Sequence, residues 1–110
     1  MILLNGFKIE QGKFPDGTLL MKYNREFEFN NSITWKYESD AELFTLICLK
    51  KHLGEAELLL PYMPHARMDR VKNSDEVFTL KYFCQIINDL HFDHVAILDP
   101  HSDVSTALLD

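Results

Sequence analysis

The second half of the chain alternates helical and strand patterns, and this order limits the possible folds more than any other feature. The capping-box sequence S-x-x-E at Ser39 to Glu42 opens an apolar pattern of helical spacing that runs to Leu53, where Gly54 provides a stop signal. Residues 77–90 repeat the helical spacing. The sequence therefore predicts two helices, with a segment between them that lacks helical spacing.

Short continuous apolar runs follow each predicted helix. AELLLPYM at 56–63 and HVAILDP at 94–100 are typical of strands buried on both faces. β-rich composition at 19–24, 26–29 and 32–38 predicts shorter strands before the first helix. Strands that alternate with helices imply parallel pairing through right-handed crossovers, so we expect an α/β domain with a mostly parallel sheet flanked by helices.

Length and charge narrow the class of protein. A chain of 110 residues is expected to form one domain, and its apolar stretches are far shorter than the roughly 18 residues that span a bilayer. The net charge of −6 argues against a nonspecific nucleic-acid binder. The first residues lack the basic and apolar regions of a signal peptide. We therefore expect a cytoplasmic protein whose partners include neither membrane nor nucleic acid.

Charged side chains follow both of the apolar strands. Arg67, Asp69 and Arg70 come after the first strand, and Asp99 and His101 come after the second. Ligands of open α/β sheets bind beyond the carboxyl ends of the strands. Guanidinium groups bind phosphate oxygens, and a carboxylate with an imidazole can hold a hydrated Mg²⁺. The pattern predicts an anion site beside a metal at one edge of the sheet.

The same segments allow simpler interpretations. The charges around Arg67 can form a solvated surface ion-pair cluster, and His101 can be a neutral loop histidine. FPDGT at 14–18 is first of all a β-turn sequence. HFDH at 91–94 has the spacing of a metal-binding pair, although it lies at a helix-to-strand junction. Periodicity alone does not choose between these interpretations and a ligand site.

Three segments together resemble one known family. PYMPHARMDR at 61–70 resembles the P-Y-x-x-x-A-R-x-D-R segment of ribose-phosphate pyrophosphokinases, also called phosphoribosyl pyrophosphate synthetases. KFPDGT at 13–18 resembles the F-x-D/N-G-E loop of that family. HVAILDPHSDVSTALLD at 94–110 resembles its strand, its D-x-H motif and the segment that follows. The three matches occur in the family's order across nearly the whole chain.

The resemblance implies an enzyme class, a fold and a set of partners. Members of the family transfer the β,γ-pyrophosphoryl group of ATP to the 1-hydroxyl of ribose 5-phosphate, which gives phosphoribosyl pyrophosphate and AMP. Mg²⁺ neutralises charge on the transferred phosphates. Each subunit has two tandem domains of the type I phosphoribosyltransferase-like fold, and residues 1–110 would be most of the N-terminal one. A homo-oligomer is expected.

Site residues follow from the resemblance, position by position. The ATP-binding residues would be Phe14, Asp16, Arg67, Asp69 and Arg70. Among them, Phe14 and Asp16 would contact adenine in a site that belongs to a neighbouring subunit. The metal-binding residues would be Asp99, His101 and Asp110. No catalytic residue is expected here, because the family's flexible catalytic loop and its ribose 5-phosphate loop belong to the second domain.

The chain departs from the family pattern at several positions. Thr18 stands where Glu is usual and Met68 where Gln is frequent, so polar contacts to adenine are lost. Asp75 and Val77 stand in place of Arg and Pro, which argues against phosphate-type allosteric control. Pro100 stiffens the loop that presents His101.

Two hypotheses follow. VSTALLD at 104–110 has no helix-ending signal, as expected for a polypeptide cut inside an element. The first hypothesis is therefore a truncated N-terminal part of a ribose-phosphate pyrophosphokinase that binds Mg·ATP and is inactive without its C-terminal domain. The alternative is a non-catalytic regulatory or assembly module that associates with a synthetase, which the substitutions at Thr18 and Met68 favour.

Overall fold

The computed structural model describes residues 1–23, 30–68 and 71–98. Within these ranges the chain forms seven strands and two helices. The strands are β1 (Ile2–Leu4), β2 (Phe7–Lys8), β3 (Glu10–Lys13), β4 (Leu19–Lys22), β5 (Ser32–Trp35), β6 (Glu57–Leu60) and β7 (His94–Ile97). The helices are α1 (Ala41–Leu53) and α2 (Thr79–Asp89).

A mixed sheet forms the centre of the domain. Its five strands lie in the order β2-β1-β5-β6-β7. β5, β6 and β7 are parallel neighbours, whereas β1 pairs antiparallel with β2 and with β5. β3 and β4 form a separate antiparallel hairpin. The predicted α/β fold is confirmed, and the strands predicted at 56–63 and 94–100 supply two of its three parallel strands.

The strands before α1 were predicted less completely. β4 and β5 lie within the predicted segments 19–24 and 32–38. The segment 26–29 lies outside the described residues. β1, β2 and β3 were not predicted, and β3 has the sequence EQGK, all of it exposed. It carries no apolar alternation, so its pairing with β4 leaves no sign in the sequence.

The core lies on one face of the sheet. Alternate strand residues point into it, as the two-residue period of a strand requires. Both helices pack against this face, and the apolar side chains buried in the shared cluster include Ile2, Leu4, Ile33, Trp35, Leu58, Leu60, Leu46, Leu49, Leu80, Phe83 and Ile87.

The opposite face of the sheet is less covered. Leu3, Thr34, Leu59 and Ala96 are aligned across β1, β5, β6 and β7, and each is half-buried. β6 was expected to be buried on both faces, but Leu59 remains partly accessible because both helices pack on the other face. Among the described residues, β6 therefore buries its apolar side chains fully on one face only.

The helix α1 begins at a buried carboxylate. Oε1 of Glu42 accepts the N–H groups of Glu38 at 2.7 Å and Ser39 at 3.2 Å, and the indole N–H of Trp35 at 3.3 Å. The glutamate half of the predicted capping box is thus formed. Asp40, the residue before the helix, makes no capping hydrogen bond. Its carboxylate is free to serve another contact.

Parallel pairing places the carboxyl ends of three strands together. We call the ends of β5, β6 and β7, at Trp35, Leu60 and Ile97, the carboxyl edge. The N–H of Leu98 donates to the carbonyl oxygen of Leu60 at 3.0 Å. The segments that leave β6 and β7 therefore start side by side, as a ligand site at this edge requires.

Candidate functional site

Arg67 lies in a turn beyond β6, at the carboxyl edge. The N–H of Met68 donates to the carbonyl oxygen of His65 at 3.0 Å, which closes a turn with Arg67 at its third position. Arg67 is exposed, and it forms no ion pair with another described residue. The guanidinium is therefore accessible to an anion from solution.

The structure describes only part of the predicted site. Phe14, Asp16 and Arg67 lie within the described residues. The remaining predicted residues lie outside them, and these are Asp69, Arg70, Asp99, His101 and Asp110. For the metal-binding positions the structure gives the strand that precedes them, β7, and its place beside β6.

The turn that carries Arg67 is tied to the start of α1 through His65. Nε2 of His65 lies 2.6 Å from Oδ1 of Asp40. The hydroxyl of Tyr37 donates to the same oxygen at 2.7 Å. The hydroxyl of Tyr62, in the loop after β6, donates to the carbonyl oxygen of Tyr37. Two separate contacts thus join the loop after β6 to the segment after β5.

These contacts shift the pKa values of Asp40 and Tyr37 in opposite directions. The hydroxyl of Tyr37 lowers the pKa of Asp40, and the hydrogen bond to His65 contributes in the same direction. Conversely, the hydrogen bond to Asp40 raises the pKa of Tyr37 to about 12, with a smaller contribution from burial. At neutral pH Asp40 is therefore an ionised acceptor and Tyr37 a neutral donor.

The FPDGT segment is a hairpin turn, as its sequence indicated. The N–H of Gly17 donates to the carbonyl oxygen of Phe14, and the N–H of Phe14 donates to the carbonyl oxygen of Thr18, both at 2.8 Å. Gly17 has φ 89°, the left-handed conformation that ends a three-residue hairpin loop. Phe14 directly precedes this loop and is 49% exposed. Its ring is available to stack on a planar ligand.

Asp16 is held by its own loop. Oδ1 accepts the hydroxyl of Thr18 at 2.6 Å and the N–H of Thr18 at 3.0 Å. These two hydrogen bonds, the hydroxyl first, lower the pKa of Asp16. The residue that departs from the family pattern, Thr18, therefore occupies one oxygen of a predicted adenine contact.

A cleft of about 520 Å³ separates the hairpin tip from the start of α1. Gly17, Thr18 and Leu19 line one wall, and Ala41 and Phe44 line the other. Arg67 does not line this cleft. Phe14 and Asp16 do not line it either, although their sequence neighbours Lys13 and Gly17 do, so none of the predicted ATP contacts within the described residues lines this cleft.

The HFDH segment forms a turn. His91 has φ 54°, and the N–H of Asp93 donates to the carbonyl oxygen of Ala56 at 2.9 Å as the chain enters β7. In the described ranges, no group of three or more His, Cys, Asp or Glu side chains is placed to hold a metal ion.

Sequence reasoning missed the pair formed by Asp40 and His65. Asp40 lies inside the predicted capping box, where an aspartate is explained by the start of the helix alone. His65 fell at a position that the family motif leaves variable. Twenty-five residues separate the two, so no local spacing connects them.

Two comparisons with known proteins agree on the relationship. Over 90 residues the chain is 31% identical to ribose-phosphate pyrophosphokinase 2 of Archaeoglobus fulgidus, a match that covers 82% of this chain and 32% of that protein. The crystal structure of phosphoribosylpyrophosphate synthetase from Mycobacterium smegmatis matches 94% of this chain and 37% of its own, with a TM-score of 0.71 and 14% identity. No protein-family model matches the chain.

The structural match defines the class: the chain has the α/β fold of part of a phosphoribosylpyrophosphate synthetase. The sequence match confirms the resemblance carried by the three motifs, and the chain is a relative of the ribose-phosphate pyrophosphokinases. It spans about a third of the length of the relatives it matches. Neither helix of the described chain has the length and hydropathy that crossing a membrane requires.

Proposed function

We propose that this chain is the N-terminal, Mg·ATP-binding part of a ribose-phosphate pyrophosphokinase. The observation that carries the proposal is that Arg67 is exposed in a turn of the loop that leaves the carboxyl end of β6. The edge of a parallel sheet is where such folds bind phosphorylated ligands. Relationship to the ribose-phosphate pyrophosphokinases supports the same assignment.

The phosphates of ATP would be bound at this edge. Arg67 and Arg70 offer planar donor groups that match phosphate oxygens, with Asp69 between them to orient the guanidiniums. Mg²⁺ would be held by the residues after β7, Asp99, His101 and Asp110. Two carboxylates and an imidazole suit a hydrated Mg²⁺, which keeps several waters and bridges to substrate phosphates.

Adenine would be contacted by the hairpin tip. Phe14 presents an exposed aromatic ring, and Asp16 retains a second carboxylate oxygen beyond the one held by Thr18. A projecting tip suits a base bound in a neighbouring subunit. A homo-oligomer in the cytoplasm, making phosphoribosyl pyrophosphate for nucleotide synthesis, belongs to the same proposal.

The chain would contribute positioning and charge neutralisation. Arginine and Mg²⁺ offset the charge that builds on the transferred pyrophosphoryl group while the 1-hydroxyl of ribose 5-phosphate is held in line. Residues that bind ribose 5-phosphate would come from a second domain. The 110-residue chain alone is therefore expected to bind Mg·ATP weakly and to form no product.

Titration calorimetry with Mg·ATP tests the site. We expect Arg67→Ala and His101→Ala each to weaken affinity by roughly tenfold, as for a lost charge-assisted contact. Lys72→Ala is the matched control, because Lys72 is an exposed cation near Arg67 in the sequence. Equal heats for all four proteins would sink the assignment of the nucleotide site.

A second candidate function is a non-catalytic module that binds a full-length synthetase. The hydrogen bond from Thr18 to Asp16 favours it, since it occupies an acceptor that adenine recognition would use. This candidate predicts little Mg·ATP affinity together with co-elution of the chain with a synthetase on sizing. Binding of Mg·ATP that depends on Arg67 would argue for the first function instead.

A further inference from the structure

His65 lies where three elements of the fold meet. Its imidazole contacts Asp40, the residue before α1, with Nε2 2.6 Å from Oδ1. Its ring centroid lies 5.5 Å from that of Phe83 in α2 and 6.1 Å from that of Tyr37 after β5. The side chain is 21% exposed. One imidazole thus connects the loop after β6 to both helices at the carboxyl edge.

The backbone at His65 requires such support. His65 has φ 61°, a conformation that residues other than glycine seldom adopt and that persists where surrounding contacts hold it. The carbonyl oxygen of His65 accepts the N–H of Met68 at 3.0 Å, so His65 is the first residue of the turn that carries Arg67. Whatever fixes His65 also fixes the direction in which that turn points.

We propose that Asp40 and His65 are positioning residues for Arg67, and that their contact holds the turn so that the guanidinium faces a bound nucleotide phosphate. The inference rests on the proposed function for its ligand. It assigns a role to two residues outside the predicted site, and it links the start of α1 to phosphate binding.

Loss of the contact between Asp40 and His65 is expected to have a modest effect on the turn. The carboxylate side chain of Asp40 is 64% exposed, so water competes with His65 for hydrogen bonds to it. Ring packing on Phe83 and the hydrogen bond from Tyr62 would hold part of the turn without the pair. Loss of either partner should therefore loosen the turn without unfolding the domain.

Hydrogen exchange at the amide of Met68 tests the contact without any nucleotide. The substitution His65→Asn keeps a side chain that tolerates positive φ, but this side chain is too short to contact Asp40. His91→Asn is the matched control, since His91 is exposed with φ 54° in the turn before β7, at the opposite edge. We expect roughly tenfold faster exchange in His65→Asn and Asp40→Asn, and no change in His91→Asn. Unchanged exchange in both Asp40 and His65 variants would overturn the proposal.

Mg·ATP affinity tests whether the contact acts through Arg67. We expect the Mg·ATP affinity to fall about fivefold in His65→Asn and in Asp40→Asn. Adding His65→Asn to Arg67→Ala should cause no further loss of affinity. A merely structural role would weaken binding in both backgrounds, and that result would overturn the positioning role. If the wild-type chain binds no Mg·ATP, the proposed function fails, while the exchange experiment still decides whether the contact holds the turn.

Discussion

At the scale of single residues, two carboxylates illustrate how neighbours set charge. Asp16 is exposed at a hairpin tip, and hydrogen bonds from Thr18 lower its pKa. Glu42 is buried at the start of α1 and keeps its charge through donors that converge on it from several segments. The hydrogen bonds to Asp16 involve a predicted ligand contact, whereas the hydrogen bonds to Glu42 stabilise the fold.

Removal of the Thr18 hydroxyl should release Asp16. We expect the pKa of Asp16 to rise towards its ordinary value in Thr18→Val, because the hydroxyl is the largest cause of the lowered pKa. Titration followed by NMR on the Asp16 carboxyl carbon measures the change. Thr34→Val, in β5, should leave that pKa unaltered. An identical pKa in all three proteins would contradict the hydrogen bond between the two side chains.

Glu42 should make stability depend on pH in the acid range. Burial raises its pKa, but hydrogen bonds from the amino group of Met1, the backbone and the Trp35 indole outweigh burial and lower the pKa to about 2, from an ordinary value of 4.5. Because the folded-state pKa is depressed, the stabilisation is complete above about pH 5 and is lost as the pH falls towards about 2.

The variant Glu42→Gln tests this. We expect a loss on the order of 2 kcal/mol in the free energy of unfolding at neutral pH, and a difference from wild type that narrows below about pH 5. Denaturant unfolding at several pH values measures it. Glu57→Gln, at an exposed position in β6, should change stability by less than about 0.5 kcal/mol. A constant difference across the acid range would contradict the assignment.

At the scale of elements, the hairpin β3–β4 contains two glycines, and its conformation requires glycine at position 17 but not at position 12. Gly17 has φ 89°, and nothing lies within 4 Å of the position that a Cβ would take, so a side chain there meets only backbone strain. Gly12 has no such constraint, and an added Cβ would lie 3.5 Å from the carbonyl oxygen of Leu20, an ordinary contact.

The two glycines therefore give a matched pair of substitutions. We expect Gly17→Ala to destabilise the hairpin by about 1 kcal/mol and Gly12→Ala to be neutral or slightly stabilising. Hydrogen exchange of the amides in β3 and β4 reports the local free energy. Equal effects at the two positions would show that the turn conformation does not limit the stability of the hairpin.

Sequence reasoning predicted those elements that carry a signal within their own segment, although in α1 that signal is the capping box and the apolar content more than a one-sided apolar face, since its buried residues include Glu42, Thr45 and Lys50. α1, α2, β6 and β7 carry helical spacing or continuous apolar runs, and their observed bounds lie inside the predicted segments. β3 is polar throughout, and its partner lies across a turn. The contact between Asp40 and His65 joins residues distant in sequence. Such pairings are set by tertiary packing, which local patterns do not encode.

At the scale of the whole molecule, the sheet is covered unequally. Both helices share one buried cluster, and the opposite face presents a half-buried row across four strands. The chain also spans only about a third of the relatives it matches. An apolar sheet face that solvent reaches is a surface on which chains associate.

We therefore expect reversible self-association at high protein concentration, driven by the row that contains Leu59. Leu59→Thr keeps a good strand former and removes apolar area, so association should weaken by roughly tenfold. Val77→Thr is the control, because Val77 is exposed outside the sheet and its replacement has nearly the same shape. Sedimentation equilibrium over a range of concentrations measures the association constants. If Val77→Thr weakened association as much as Leu59→Thr, diffuse apolar contact rather than the sheet face would be responsible, and a wild-type monomer at every concentration would refute the prediction altogether.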